Sequence, residues 1–267
     1  MLNGTTYATR KKMEKSAREL LYGSVLFLPL RSAYRHVFNR QKQLLRRKMR
    51  DFYACFVHRG DLVFDVGANV GEYCEIFSSL GARVVAVEPN PACCESLYRL
   101  AHMRDVRVEG CAVGESAGSA KMMICDQPAF STLSEHWFER TKESPDHQSA
   151  KWLKSIDVPV TTLDALAQRH GVPAFVKIDV EGYEEKVLAG MSFRPAFLSF
   201  EFNLLAKDTA FHCLERLEQK GYEFNAIVGR ELELCYTHWI TCREASGWIA
   251  SQERKCNYGD IFARQIH

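Results

Sequence analysis

Apolar residues follow two rhythms along this chain. Short, nearly unbroken apolar runs occur at Leu62–Val66, Arg83–Val87, Val106–Val113, Phe175–Val180 and Phe197–Phe202. Unbroken runs of this length, ending at turn residues, predict strands buried on both faces. Between them lie stretches with apolar positions three or four apart, at Glu72–Leu80, Ala92–His102, Leu163–His170, Tyr183–Ala189 and Ala210–Lys220. These predict crossover helices, most of them stopped by glycine. Alternating strands and helices argue for a parallel sheet covered on both faces. Ser119–Cys125 reads as an extra strand and Val158–Thr161 as a short extended piece. Tyr222–Val228, Leu232–Tyr236 and Asp260–Ala263 are expected to supply antiparallel strands at the end. The polar stretch 126–155 has few apolar anchors and reads as a loop that folds over a pocket.

The first 57 residues follow a different plan. A basic run over 10–19 leads into the apolar segment Leu20–Leu30, which Pro29 interrupts. Eleven residues are too few to span a bilayer as a helix, and no small-residue cleavage site follows, against a signal peptide. From 31 to 57, Tyr34, Val37, Phe38, Leu44, Leu45, Met49, Phe52, Tyr53 and Phe56 keep helical spacing, until Gly60-Asp61 closes the helix. The expected organisation is a basic helical arm, 1–57, before one α/β domain, 58–267.

Charge sharpens that division. Residues 1–60 hold 14 Lys/Arg against 3 Asp/Glu, whereas the remaining 207 hold 21 against 30. A basic arm before an acidic body suits peripheral contact with an anionic membrane face or an acidic partner; a solvated helical face is the plainer alternative. The whole chain nets only +2, and no nucleic acid partner is expected. The ten cysteines form no C-x-x-C pair and no zinc spacing, and several sit inside apolar runs. Reduced thiols fit a cytoplasmic setting, with membrane association through the arm as a variant of it.

The chemistry concentrates at strand ends. Asp65-Val66-Gly67-Ala68-Asn69-Val70-Gly71 stands where the first strand meets a helix. Glycines there permit a sharp turn and a close ligand approach. The segment lacks the G-x-G-x-x-G of a dinucleotide site and the Lys-Ser/Thr of a P-loop. Those gaps count against an NAD-dependent oxidoreductase. Glu88 ends the second strand, 17 residues after Gly71, where an acid accepts hydrogen bonds from both ribose hydroxyls of a nucleoside. Asp65 stands where an ammonium group would be met directly or through water.

A second cluster gathers Lys177, Asp179, Glu181 and Glu184 at one strand-to-helix turn, with Glu201 and Asn203 on the following strand. Ligands of doubly wound sheets bind beyond the C-terminal strand ends, so both clusters should share one mouth. Asp179, Glu181 and Glu201 are candidates for removing a proton from an acceptor. Asp179, Glu201 and Asn203 could instead hold one Mg²⁺. Glu181 has a plainer reading as a first-turn acid favoured by the helix dipole.

The ordered blocks DVGANVG, VAVEPNP, CAVGE, TTLD, VKIDVEGYE and LSFEFN, over about residues 61–203, resemble the FkbM-type methyltransferases, a branch of the class I S-adenosylmethionine enzymes. A looser echo stands at 259–263. The resemblance implies a Rossmann-like, doubly wound, mostly parallel seven-stranded sheet with antiparallel C-terminal strands. It implies S-adenosyl-L-methionine as cofactor and methyl transfer to a hydroxyl of a sugar, glycan or other small molecule. Asp65, Gly67, Asn69 and Gly71 would wrap the methionine part, and Glu88 would hold the ribose. Ala112 and Val113 would lie beside the adenine, and Asp179 would face the transfer site. Ala68, Pro89 and Asn90, with Asp179 counted here as well as at the transfer site, complete the cofactor set. N-methylation is disfavoured, because the turn after the fourth core strand is Asp179-Val180-Glu181-Gly182 and not an N/D-P-P-Y/F type. An inactive nucleotide-binding or membrane-docking module with the same fold is the alternative; the intact DVGANVG, Glu88 and Asp179 argue against it. Outside the blocks, His136 and His147 would reach an acceptor only if 126–155 is a lid. Ser131-Thr132 would bond to the cofactor or order a loop. Trp239 and Trp248 should pack the C-terminal region.

Overall fold

The computed structural model describes residues 27–144, 147–252 and 257–266, with residues 27–39 described by backbone alone. The helices and the basic run expected before residue 27 lie outside the described residues, as does much of the arm on which membrane contact was argued. The chain divides into two compact units, Met1–Met49 and Arg50–His267. The first described helix, α1, runs Phe27–Tyr53. Among the described residues no helix is long and apolar enough to cross a membrane.

The second unit is built on β1 (Leu62–Val66), α2 (Glu72–Ser79), β2 (Arg83–Val87), α3 (Pro91–Ala101) and β3 (Val106–Glu109). After an excursion come α5 (Leu163–His170), β7 (Phe175–Ile178), α6 (Glu184–Ala189), β8 (Phe197–Asn203), α7 (Lys207–Gln219), β9 (Tyr222–Val228), α8 (Cys242–Ser251) and β10 (Tyr258–Gln265). Seven strands form one sheet in the order β3-β2-β1-β7-β8-β10-β9. The first five are mutually parallel, and β10 runs antiparallel to both neighbours. This is the expected Rossmann-like architecture. Strand order reverses between β1 and β7, the crevice where such sheets take ligands.

The reasons are local. All five residues of β1 and all four of β7 are buried, which explains their unbroken apolar runs. Asn90 caps α3 by accepting the Ala92 amide at 3.1 Å, with Pro91 in the first helical turn. Thr162 caps α5 in the same way. Phe56 stacks on Phe262 of β10 with ring centroids 4.9 Å apart, and Tyr53 meets Phe77 of α2 edge-on at 5.1 Å.

The excursion differs from the expectation. The run 106–113 is two strands: the chain leaves the main sheet at Gly110-Cys111, and β4 (Ala112–Val113) joins a second sheet. That sheet, ordered β4-β6-β5, also contains β5 (Gly118–Cys125) and β6 (Trp152–Thr161). Stretch 126–155 is therefore no simple loop. It holds α4 (Glu135–Glu143), capped by Ser134, and the first part of β6. Leu232–Tyr236 is not a strand. Asn225 holds that segment instead, donating from Nδ2 to the Tyr236 and His238 carbonyls at 2.8 and 3.2 Å. Trp239 lies under the Arg264 guanidinium and Trp248 against Phe202, packing as expected.

Candidate active site

Glu88, at the end of β2, is the anchor of the first half-site. It is 5% exposed, and each carboxylate oxygen accepts one backbone N–H: Oε2 from Asn69 at 2.8 Å and Oε1 from Asn90 at 2.7 Å. Each oxygen keeps a second lone-pair direction for a ligand hydroxyl. Burial pushes the Glu88 carboxyl up to about 7, against the opposing pull of the two amides. Asn69 adopts a left-handed conformation (φ 49°), which turns its amide toward Glu88. Ala68 is buried and donates its N–H to the Val87 carbonyl at 3.1 Å. Pro89 is half-buried, and Asn90 is occupied as the cap of α3.

The two loop glycines turn the chain sharply, as expected, and each also lies close to a neighbouring element. A Cβ at Gly67 would lie 1.8 Å from the Asp179 carbonyl oxygen, and one at Gly71 would lie 2.9 Å from Leu97. Both also have positive φ. Gly67 thus lets the first loop touch the β7 turn, and Gly71 lets α2 seat on α3. Asp65 lies beneath the loop, 1% exposed, and accepts the Cys74 thiol at 3.0 Å. Burial raises its carboxyl, with Lys177 opposing. That position makes Asp65 a support of the turn. Ala112 and Val113 are likewise buried, 4% and 2% exposed, in apolar packing on the second sheet.

The second half-site starts from Lys177, opposite Asp65 in the β1–β7 register. This lysine is 1% exposed. Its Nζ donates to Asp179 Oδ2 at 2.7 Å and sits 4.2 Å from the centre of the Tyr73 ring. Burial alone would lower its proton affinity. Asp179, Tyr73, Asp260 and Asp65 outweigh that and hold it well above the usual lysine range.

Asp179, Glu181 and Glu201 converge as expected: one carboxylate oxygen from each lies within 4.8 Å of the others. All three are half-buried. Burial first, then the neighbouring carboxylates, push the Glu181 and Glu201 carboxyls well above the usual range. Asn203 Oδ1 accepts the Leu205 amide at 3.0 Å, which leaves one lone-pair direction on that oxygen. The helix-start role considered for Glu181 belongs to Glu184 instead. Glu184 is 2% exposed, and its Oε1 accepts both the Val180 and Gly182 amides at 3.1 Å. Burial lifts the Glu184 carboxyl to about 7.

Two residues that sequence reasoning did not place here belong to the same face. Asp260 pairs with Glu201 across β10 and β8, and burial raises its carboxyl to about 6 against the pull of Lys177. Tyr73 covers Lys177. Their only signals in sequence are the acid in the block at 259–263 and an aromatic two residues past Gly71. His136 is exposed, and His147 packs edge-on against Phe130 at 4.9 Å. Ser131 and Thr132 order the loop: Ser131 Oγ accepts the Cys125 amide at 3.1 Å, and Thr132 Oγ1 donates to the Glu181 carbonyl at 2.7 Å.

Residues 65–224, which carry both half-sites, match the methyltransferase FkbM domain. The chain belongs to the FkbM methyltransferase family. A curated relative in Streptomyces tacrolimicus, 31-O-demethyl-FK506 methyltransferase FkbM, is 33% identical over 156 residues. That match covers 49% of this chain and 60% of the relative. Among solved structures, a precorrin-6Y C5,15-methyltransferase from Geobacter metallireducens is similar over 84% of this chain and 87% of its own, at 13% identity and a TM-score of 0.42. A TehB-like SAM-dependent methyltransferase from Corynebacterium glutamicum is similar over 88% of this chain and 100% of its own, at 11% identity and a TM-score of 0.41. The fold assignment rests on the strand order itself.

Proposed function

We propose that this FkbM-family protein transfers a methyl group from S-adenosyl-L-methionine to a hydroxyl of a sugar, glycan or other small molecule. The observation that carries the reading is the pairing of two unlike acid sites across the sheet crevice. One is a single carboxylate fixed by two backbone amides; the other is a trio of carboxylates within 4.8 Å of one another.

The first site fits an adenosyl group, because Glu88 keeps one free lone-pair direction on each oxygen for the ribose hydroxyls. Asn69 and Asn90 orient that carboxylate, and the Gly67–Gly71 turn borders it. When bound, the cofactor supplies an electrophilic methyl group on a positively charged sulfur. The remaining chemistry is the protein's. Burial and neighbouring carboxylates make Glu181 and Glu201 hold their protons more tightly than ordinary carboxyls. Positive charge beside them favours ionisation. A cation in the first site therefore lowers the proton affinity of Glu181 and Glu201 and raises their ionised fraction, so that one of them is free to take the acceptor's hydroxyl proton. Lys177, paired to Asp179, fixes that carboxylate at the mouth. Positioning the acceptor oxygen supplies much of the rate.

The converging carboxylates also form the donor set a hard cation takes, and chelation separates the two roles. Activity lost in EDTA and restored by Mg²⁺ assigns the trio to a metal; indifference assigns it to proton removal. The oxygen preference follows the resemblance and the name of the 33%-identical relative. The test is an acceptor screen with radiolabelled S-adenosyl-L-methionine over hydroxylated natural products, glycans and matched amines. Label in a hydroxyl supports the reading. Label confined to amines overturns its oxygen part, and failure to bind S-adenosylhomocysteine by calorimetry overturns the whole.

A further inference from the structure

Glu181 is one of two non-glycine residues among the described ones with positive φ, at 55°; the other is Asn69 in the first loop. Asparagine tolerates this region well, whereas glutamate rarely adopts it. Such a conformation persists only when the surroundings fix it.

Glu184 braces the turn locally through the Val180 and Gly182 amides, and the carbonyl of Glu181 itself is held from a distant part of the chain. Thr132 Oγ1 donates to the Glu181 carbonyl at 2.7 Å across 49 residues, and accepts the Ser134 amide at 2.9 Å. Thr132 is 1% exposed. Its backbone is tied to Met123 of β5 by two hydrogen bonds, of 2.8 and 3.1 Å. Trp137, 1% exposed, lies against Gly182, where a Cβ would fall 2.8 Å from the tryptophan's own Cβ. Ser134 links the two by capping α4 at the Trp137 amide. At the far end of α4, Arg140 donates to the Leu205 carbonyl at 2.9 Å, just beyond β8. Segment 131–140 is thus a strap fastened to the second sheet at one end and to the Glu181 and Glu201 strand ends at the other.

We propose that Thr132 is a positioning residue for the methyl-transfer reaction: its hydroxyl holds Glu181 in the left-handed conformation that places its carboxylate beside Asp179 and Glu201. The inference rests on the methyl-transfer reading for its consequence, though not for its geometry. With the bond lost, the residue 181 backbone relaxes toward an ordinary φ and its carboxylate swings out of the trio. Among the described residues the hydrogen bonds of Thr132 run to Glu181, Ser134 and Met123 and those of Glu88 to Asn69 and Asn90, so cofactor affinity is expected to stay as it was.

The experiment compares the full-length parent with Thr132→Val, Thr132→Ser and Thr132→Ala. Thr132→Val keeps the shape and removes the donor, Thr132→Ser keeps the donor, and Thr132→Ala serves if the valine variant does not fold. Expected are S-adenosylhomocysteine affinities within about twofold of the parent by calorimetry. With the acceptor that the parent labels, kcat should fall about tenfold or more in the valine and alanine variants and recover to within about threefold in the serine variant. Equal turnover in parent and valine variant overturns the proposal, as does a serine variant as impaired as the valine one. Crystal structures supply an arm independent of turnover. Release of Glu181 from positive φ in Thr132→Val or Thr132→Ala supports the proposal, and retention overturns it. A parent that methylates nothing sinks the functional reading and leaves this arm to decide the geometry.

Discussion

The two sides of the crevice solve opposite problems with the same functional group. On the β2 side, Glu88 is a lone carboxylate whose oxygens are both satisfied by backbone amides. On the β7–β8 side, three carboxylates crowd together, and among the described residues Asp179 is the one ion-paired to a cation, Lys177. The first arrangement is a carboxylate fixed in place before any ligand arrives, a socket in the proposed reading. The second is a stressed electrostatic cluster, which stores affinity for protons and cations at a cost to the empty protein. Gly67 joins them, since its Cα faces the Asp179 carbonyl with no room for a methyl group.

Breaking the joint should have the largest effect. Gly67→Ala places a Cβ 1.8 Å from the Asp179 carbonyl oxygen, at a φ of 84° that alanine tolerates poorly. The cost should be about 3 kcal/mol or more, the range of severe steric and backbone strain. Urea unfolding checks this, and a loss below about 1 kcal/mol would show that the two loops separate easily. Next comes Asp179→Asn, which leaves the shape and removes the partner of Lys177. Turnover should drop roughly a hundredfold or more, while S-adenosylhomocysteine affinity changes little; a fall in affinity alone would place Asp179 in the socket. Third, Glu88→Ala should weaken cofactor binding by about 1.5–3 kcal/mol, the scale of hydrogen bonds to a charged group. It also frees the Asn69 and Asn90 amides, so amide exchange there should quicken, and unchanged calorimetric affinity would remove Glu88 from the site.

The smallest effect concerns pH. Glu201 in the folded protein holds its proton more tightly than an ordinary carboxyl, because burial and the Glu181 and Asp179 carboxylates disfavour its charge. A carboxyl raised on folding contributes stability that is complete below its unfolded value and is lost as pH rises through its folded value. The cofactor-free parent should therefore lose stability upward from the ordinary carboxyl range. Glu201→Gln removes one share of that loss. Its melting temperature should exceed the parent's by more at pH 8 than at pH 5; an advantage that shrinks with pH would contradict the crowding described above.

The main sheet was largely legible before any coordinates. Leu62–Val66, Arg83–Val87, Leu163–His170 and Tyr222–Val228 fall where the pattern put them, because burial on both faces leaves a dense local signal. The convergence of Asp179, Glu181 and Glu201 was legible too, since strand ends of a doubly wound sheet must share one mouth. What local pattern cannot carry is membership. Nothing within Val106–Val113 says that its two ends join different sheets. Helix α4 buries only Trp137 and Thr141, too thin an apolar stripe to register, although Ser134 was a readable cap. Helix α8 does carry a local signal, the Thr241–Glu244 capping box. Asn225, whose side chain replaces a strand for residues 236–238, and Thr132, acting across 49 residues, leave no periodic trace.

The small sheet β4-β6-β5 stands apart from the seven-stranded one in its hydrogen bonding, and the segment crossing the carboxylate trio is slung between β5 and β6. Such a construction separates inheritance from invention. The strands of the main sheet can stay fixed while the segment between Cys125 and Trp152 is lengthened, shortened or exchanged, since its two ends are pinned by a ladder of their own. A designer seeking a new acceptor would therefore recut residues 126–151, keep Thr132 and Trp137 as rivets, and leave everything from Leu62 to Glu109 untouched.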